Sequence, residues 1–348
     1  MTSGLSFIRS EILRLSAYVP GEQPHDRAYV KLNTNENPYP PSPRVIEAIK
    51  ATTGDELRLY PDPMAGALLD KASAVYGFAP RHILAGNGSD DLLAIIMRAC
   101  TGPGDLVVYP VPTYSLYETL VAIQGATSRA VPFPDDFVLP LEALGEQGQK
   151  VTLICNPNAP SGTFSPVETL ERLASRLKGL LVIDEAYVDF GGETALPLVH
   201  RYPNVIVLRT FSKSFALCGL RIGLAFGSSE LIAVLAKVKD SYNVNRLGIV
   251  AARAALDDYG WMQASVYKVR KTRQQLIEAL ARRNFQCLPS EANFVLARRR
   301  GIDLKPLQTG LRDTGVLVRH FDTPELRDAL RITVGTPEDV AVLLDHLR

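Results

Sequence analysis

The chain has 348 residues, with 38 lysines and arginines against 37 aspartates and glutamates, and 46% of its residues are hydrophobic. This length exceeds the size at which one hydrophobic core stops growing, so we expect one large domain and a smaller companion. The balanced charge argues against a nucleic-acid-binding polycation, and the hydrophobic content argues against a disordered chain.

The N-terminal segment and the cysteines indicate the cellular compartment of the protein. Charges interrupt the only apolar stretch of the first fifteen residues, which argues against a secretory signal. No run approaches the ~18 apolar residues that a membrane-spanning helix needs. The four cysteines lie far apart, with neither paired zinc spacing nor a C-x-x-C motif: Cys100, Cys155, Cys218 and Cys287. The sequence thus predicts a cytoplasmic protein with buried, reduced thiols, no metal site and no membrane partner.

Short apolar runs alternate with helical patterns after a proline-rich segment at 37–43. The predicted strands lie at 106–110, 151–155, 180–184 and 204–210. The predicted helices lie at 43–52, 89–100, 166–177 and 230–240. We expect Ser165 to cap the third helix, with Pro166 in its first turn. Strands separated by helices predict a mostly parallel sheet covered on both faces, an α/β/α sandwich.

The pattern changes beyond residue 245. Long helices are predicted at 246–256 and 261–283, and short strands follow at 294–297, 316–319 and 329–334. This order indicates a smaller α+β domain. We therefore assign 41–245 to a large domain, and 1–40 with 246–348 to an N-terminal arm and small domain.

Ligands bind beyond the carboxyl ends of strands in an open parallel sheet, so the residues that follow each strand are the candidates. Gly86 to Asp90 form a glycine-rich turn that opens a helix, and the free N–H groups of Gly88, Ser89 and Asp90 suit a phosphate. Taken alone, a glycine-rich segment of this kind is more often a plain strand-to-helix turn.

Two further strand ends carry reactive side chains. Asp184 and Tyr187 follow a buried apolar run, where a carboxylate needs a partner such as a protonated pyridine nitrogen, unless it only caps a helix. Lys213 follows the next strand among apolar neighbours, which lowers the pKa of an amine and suits it to form a Schiff base. The alternative is a lysine lying along a strand end. Arg221 adds a fixed cation for a phosphate.

Together, an imine-forming lysine, an acid for a ring nitrogen and phosphate ligands form the set that pyridoxal 5′-phosphate (PLP) requires. Coincidence of all of them in this order is improbable. The residues alone therefore point to a PLP enzyme with Lys213 as the catalytic lysine.

Several segments carry a family resemblance over residues 18–336. They are Asn33 to Pro38, Tyr60 to Pro63, Gly88 to Asp90, Pro112 to Tyr114, Asn156 to Gly162, Asp184 to Tyr187, Ser212 to Leu217 and Leu330 to Thr336. In these the chain resembles the histidinol-phosphate aminotransferases. The resemblance implies the PLP-dependent transferase fold of type I and transamination between L-histidinol phosphate and 2-oxoglutarate, with imidazole acetol phosphate and L-glutamate as products, in histidine biosynthesis.

The resemblance also implies roles for individual residues. Lys213 would bind PLP and move the proton, Asp184 would face the ring nitrogen, Tyr187 the phenolic oxygen, and Tyr114 would stack on the ring. The phosphate ligands would be the backbone of Ser89 and Asp90, the side chains of Ser212 and Arg221, and Tyr60 of the partner subunit in a homodimer. Substrate would be held by Tyr18, Asn35, Arg319 and Arg331, with Arg331 on the carboxylate and Arg319 and Tyr18 on the substrate phosphate.

Two related activities remain open from sequence. They are a threonine-phosphate decarboxylase and an aromatic amino-acid aminotransferase of the same fold. A PLP-sensing regulator would need a DNA-binding domain, for which the residues before Tyr60 leave no room.

One position departs from the family pattern. Ala159 stands where an asparagine usually donates a hydrogen bond to the phenolic oxygen of PLP. We expect the neighbouring Asn158 to compensate in part, and the alternative is that Asn158 only caps its own turn.

Overall fold

The structure is a computed structural model, and it describes residues 5–15, 20–52, 54–145 and 147–347. In these residues no group of three or more His, Cys, Asp or Glu side chains could hold a metal ion. None of the helices in the same ranges combines the length and the apolar character of a membrane span.

The described residues form twelve strands and thirteen α-helices. The strands are β1 Val30–Leu32, β2 Ile83–Gly86, β3 Leu106–Val111, β4 Thr127–Pro132, β5 Val151–Cys155, β6 Leu180–Asp184, β7 Val205–Thr210, β8 Gly223–Phe226, β9 Gln286–Cys287, β10 Phe294–Arg298, β11 Val316–His320 and β12 Ala329–Thr333. The helices are α1 Ser10–Arg14, α2 Pro43–Ala51, α3 Gly66–Tyr76, α4 Ser89–Cys100, α5 Leu116–Gln124, α6 Leu141–Leu144, α7 Val167–Arg176, α8 Leu198–Arg201, α9 Ser229–Leu235, α10 Arg246–Asp257, α11 Tyr259–Ala281, α12 Lys305–Asp313 and α13 Pro337–His346.

The larger sheet has seven strands in the order β2-β8-β7-β6-β5-β3-β4. Its strands run parallel except β8, which is antiparallel to both β2 and β7. Every residue of β5 and β7 is buried, as expected for strands that are covered on both faces. The predicted mostly parallel α/β architecture is confirmed.

The second sheet has five strands in the order β1-β11-β12-β10-β9. β1 pairs in parallel with β11, so the N-terminal segment joins the C-terminal lobe. All strands of the larger sheet lie within 41–245, and all strands of the smaller sheet lie outside it. Helix α10 nevertheless packs against α2 and α3 of the larger lobe, so the boundary at residue 245 stays a prediction.

Three expectations of local structure were wrong. Ser165 does not cap α7, because the helix begins at Val167 and Pro166 occupies the N-cap position, outside the first turn; the Asn156 side chain holds the backbone N–H and carbonyl of Ser165. The helix predicted at 230–240 ends at Leu235, and Lys239 beyond it donates to the carbonyl of Pro63. Of the four thiols, only Cys155 is fully buried.

Candidate active site

A cleft of about 230 Å³ opens between the carboxyl edge of the larger sheet and strands β11 and β12. Eight predicted residues line it from the larger lobe: Ser89, Asp90, Tyr114, Asp184, Tyr187, Ser212, Lys213 and Arg221. Asn35, Arg319 and Arg331 line it from the other side. Tyr18 lies outside the described residues. These side chains lie far apart in the sequence, and the fold brings them together from both lobes into one site.

Lys213 lies in the turn between β7 and β8. Phe211 and Phe215 flank it with their ring centroids 4.8 Å apart. Burial, and secondarily the charge of Arg331, lower the pKa of the Lys213 amine to about 8. The Nζ atom lies 3.4 Å from the carbonyl oxygen of Thr34. At neutral pH an appreciable fraction of this amine is uncharged and nucleophilic.

Asp184 ends β6 at the floor of the cleft, almost fully buried. Burial, and then the nearby charge of Asp90, raise its pKa to about 7. Its Oδ1 accepts from the backbone N–H of Ala186 at 3.1 Å, and its Oδ2 accepts from the Tyr117 hydroxyl at 3.2 Å. A cationic ring nitrogen beside this carboxyl would favour its ionised form.

An anion cradle forms where α4 begins. No side chain caps the N-terminus of α4, so its first N–H groups stay available. Arg221 approaches this turn and donates to Asp90 at 3.0 Å and to Ser212 at 3.2 Å. A Cβ atom on Gly88, whose φ is +90°, would lie 2.8 Å from Nη2 of Arg221. Glycine at 88 therefore permits the close approach of the arginine.

Tyr187 and Asn35 meet above the floor of the cleft. The Asn35 Nδ2 donates to the Tyr187 hydroxyl at 3.1 Å. The Tyr187 ring packs edge-on against Phe294, with centroids 5.0 Å apart. Burial raises the pKa of Tyr187 well above its ordinary value. The hydroxyl thus stays protonated and able to donate at physiological pH.

Asn158 lies behind the cleft. Its Nδ2 donates to the Pro112 carbonyl at 3.1 Å and to the Ser161 hydroxyl at 2.9 Å, and its Oδ1 accepts from Thr113 at 2.8 Å. One N–H of the amide is used by Ser161 inside the same turn and the other by Pro112 in the connection after β3, so neither is left for the phenolic oxygen and the geometry speaks against the expected compensation for Ala159.

Two arginines face each other across the small sheet. Arg319 on β11 pairs in register with Arg331 on β12, and both line the cleft. The Phe321 ring lies under both guanidinium groups, at 5.5 Å and 5.6 Å from its centroid. Like charges directly opposite each other in a sheet are destabilising, so this arrangement suits an anionic ligand.

Comparisons with known proteins agree with this geometry. The model of the class I and II aminotransferases matches residues 27–347. Histidinol-phosphate aminotransferase 1 of Trichormus variabilis is 44% identical over 344 residues, 99% of this chain and 98% of its own. The histidinol-phosphate aminotransferase of Geotalea uraniireducens is 44% identical over 342 residues, 98% of this chain and 98% of its own. The chain belongs to the histidinol-phosphate aminotransferase family.

Solved structures give the same result for this aminotransferase. The histidinol-phosphate aminotransferase of Sinorhizobium meliloti, in complex with PLP, matches with a TM-score of 0.91 at 29% identity, over 100% of this chain and 98% of that one. An aspartate aminotransferase of Thermus thermophilus, 21% identical with a TM-score of 0.82, shares the fold. The predicted PLP-dependent transferase fold and the PLP cofactor are confirmed.

The residues of the aminotransferase fit PLP on three observations. The uncapped N-terminus of α4 with Arg221 and Ser212 suits a phosphate, the raised pKa of Asp184 marks a carboxyl that lacks a cationic partner, and Lys213 supplies an amine of lowered pKa. PLP, when bound, supplies a carbonyl carbon that exchanges amino groups and a ring that accepts electrons.

Two residues that contact the predicted site residues were not predicted from the sequence. Tyr117 donates to Asp184 from the first turn of α5, and its sequence signal is no more than a position three residues after Tyr114. Phe321 follows β11 closely and holds two guanidinium groups. Neither contact could be inferred without the tertiary structure.

Proposed function

We propose that the chain transfers the amino group of L-histidinol phosphate to 2-oxoglutarate, giving imidazole acetol phosphate and L-glutamate, in histidine biosynthesis. The observation that carries this proposal is the Arg319 and Arg331 pair, in register and lining the cleft that contains Lys213. 2-Oxoglutarate carries two carboxylates and L-histidinol phosphate carries one phosphate group, and arginines bind both kinds of anion. We assign Arg331 to the carboxylate and Arg319 to the substrate phosphate.

The chain's own residues would act as follows. Lys213 moves the proton between the substrate carbon and the cofactor, because its lowered pKa keeps part of it as free base. Asp184 would hold the ring nitrogen, and Tyr187 would donate to the phenolic oxygen. Tyr114, whose hydroxyl donates to Asp90 at 3.0 Å, would stack on the ring. The backbone N–H groups of Ser89 and Asp90 and the side chains of Ser212 and Arg221 would hold the phosphate, and Asn35 would contact the substrate.

We further propose a homodimer that works in the cytoplasm. Tyr60 is 77% exposed and does not line the cleft of its own chain. It stacks on Tyr242 with centroids 4.4 Å apart, and the exposed Leu57 and Leu59 lie close to it in sequence. An exposed apolar surface of this kind suits a protein interface. Tyr60 of the partner subunit would complete the phosphate site.

The substrate proposal is tested with Arg319→Gln. We expect the KM for L-histidinol phosphate to rise about tenfold or more, because one hydrogen bond between charged groups is worth ~1.5–3 kcal/mol. The control is Arg300→Gln, whose arginine pairs with Asp135 away from the cleft. Products are identified by mass after incubation with 2-oxoglutarate. Loss of CO2 from threonine phosphate, with no amino transfer from histidinol phosphate, would overturn the proposal.

A further inference from the structure

The site has one side-chain hydrogen-bond donor fewer than the family pattern predicts. Ala159 lines the cleft and offers no side-chain hydrogen bond. The amide of Asn158 is occupied by Pro112 and Ser161. Of the residues that we place beside the phenolic oxygen, Tyr187 keeps a hydroxyl that can donate to it, so the direction of its single proton matters.

The neighbouring Asn35 fixes that direction. Its backbone N–H donates to the Thr333 hydroxyl at 2.9 Å, so the Thr333 oxygen acts there as an acceptor. The Thr333 proton remains for the Asn35 Oδ1, at 3.2 Å. Because the amide oxygen is held by Thr333, the amide nitrogen faces Tyr187 at 3.1 Å. A nitrogen of this type only donates.

The hydroxyl of Tyr187 has a single proton to donate. Tyr187 has one proton and accepts one from Asn35, so its own proton is left to point at another acceptor. We propose that Asn35 is a positioning residue: by donating to Tyr187, it directs the hydroxyl proton toward the cofactor's phenolic oxygen and so offsets the donor missing at position 159. This inference rests on the proposed placement of Tyr187 beside that oxygen.

The network that holds Asn35 belongs to the second lobe. Thr333 ends β12, and Asn293, just before β10, donates to the Asn35 carbonyl at 2.9 Å. Asn35, Thr333 and Asn293 are each at most 2% exposed. Asn35 adopts φ +57°, a conformation that asparagine tolerates better than most residues. The small lobe thus sets the orientation of a hydroxyl that belongs to the large one.

The test is a double-mutant cycle on the visible absorption band of the cofactor-loaded protein. Asn35→Gly removes the amide and suits the positive φ. We expect the pH midpoint of the band to rise by about half a pH unit or more, as a weakened donor no longer favours the phenolate form. Tyr187→Phe should raise it further. In the Tyr187→Phe background, Asn35→Gly should add nothing, because its effect passes through Tyr187.

A matched pair at Thr333 tests the same network without touching Asn35. Thr333→Val frees the amide to rotate and should give part of the upward shift, whereas Thr333→Ser keeps the hydroxyl and the wild-type midpoint. This pair keeps the question answerable if Asn35→Gly fails to fold, which circular dichroism reports.

The outcomes separate the inference from the proposed function. If Tyr187→Phe moves the midpoint but Asn35→Gly does not, or if the Asn35→Gly shift persists undiminished without the Tyr187 hydroxyl, Asn35 does not act through Tyr187. Equal shifts from Thr333→Val and Thr333→Ser would also refute it. If Tyr187→Phe itself leaves the band unmoved, the placement of Tyr187 fails and the inference fails with it.

Discussion

Asp184 has surroundings unlike those of an ordinary, solvated carboxylate. It is 3% exposed, and it accepts hydrogen bonds from Tyr117 and from the Ala186 backbone. Sequence placed it correctly in the cleft because a polar residue directly after a buried strand reaches the carboxyl edge of the sheet. Tyr117 was not found, because a tyrosine on an amphipathic helix looks like an ordinary core residue.

The raised pKa of Asp184 predicts how the stability of the cofactor-free protein depends on pH. An ordinary aspartate has a pKa of 3.8, whereas the folded state holds this proton up to about pH 7. The folded state therefore binds the proton more tightly, and the free energy of unfolding falls as pH rises from about 4 to 7. The total loss is on the order of 4 kcal/mol, at 1.36 kcal/mol for each pKa unit.

Asp184→Asn removes this titration. Urea unfolding of the cofactor-free variant should show it gaining stability relative to the wild type between pH 5 and pH 8. Asp135→Asn, at a carboxylate that is 85% exposed, controls for the loss of one negative charge. A stability difference between Asp184→Asn and the wild type that is the same at both pH values would contradict the assignment.

At the scale of the elements, the sequence located the central strands to within one residue. β5 and β6 match their predicted ranges because short runs that are mostly apolar end abruptly at polar residues. The edge strand β4 was not predicted, since nearly all of its residues are exposed and the apolar pattern is weak. Helix α9 ends earlier than its periodicity suggests, and Lys239 beyond its end donates to the carbonyl of Pro63, a tertiary contact that the sequence does not show.

The close packing where β2, α4 and β8 meet requires glycine at position 88, and a substitution there tests this. Gly88→Ala would place its Cβ atom 2.8 Å from the Arg221 guanidinium at a φ of +90°. We expect cofactor affinity to fall tenfold or more, because the arginine must leave the phosphate cradle. Equilibrium dialysis of PLP measures the loss.

Gly104→Ala is the matched control for backbone strain. Gly104 has a φ of +88°, and an added Cβ atom would meet nothing within 4 Å. Both variants should lose ~1–2 kcal/mol of stability from the left-handed backbone. Equal cofactor affinities in the two variants would show that the close approach of Arg221 is unimportant.

At the scale of the whole molecule, the cleft exists because two sheets meet. Sequence predicted the two lobes, but it did not predict that β1 joins the second sheet beside β11. Pairing between segments almost 290 residues apart leaves no local signal. For the same reason, the sequence did not predict the strand register that sets Arg319 opposite Arg331, although the family resemblance had identified each arginine as a substrate ligand.

The shared active site predicts complementation between two defective variants. Tyr60→Phe should weaken cofactor retention while the dimer persists, and Lys213→Ala should be inactive. A heterodimer of the two contains one site with an intact Lys213 and an intact Tyr60 of the partner subunit. Mixing the unfolded chains and refolding them should therefore recover cofactor retention in that site. No recovery, or a native mass near 38 kDa with full activity, would exclude shared sites.

The central claim is that Lys213 is the residue that binds PLP covalently. Borohydride reduction of the PLP-loaded protein, followed by proteolysis and peptide mass mapping, tests it most directly. The result we predict is a single reduced PLP adduct on Lys213, and its disappearance together with the visible band in Lys213→Ala. A stoichiometric adduct on any other lysine would contradict the account.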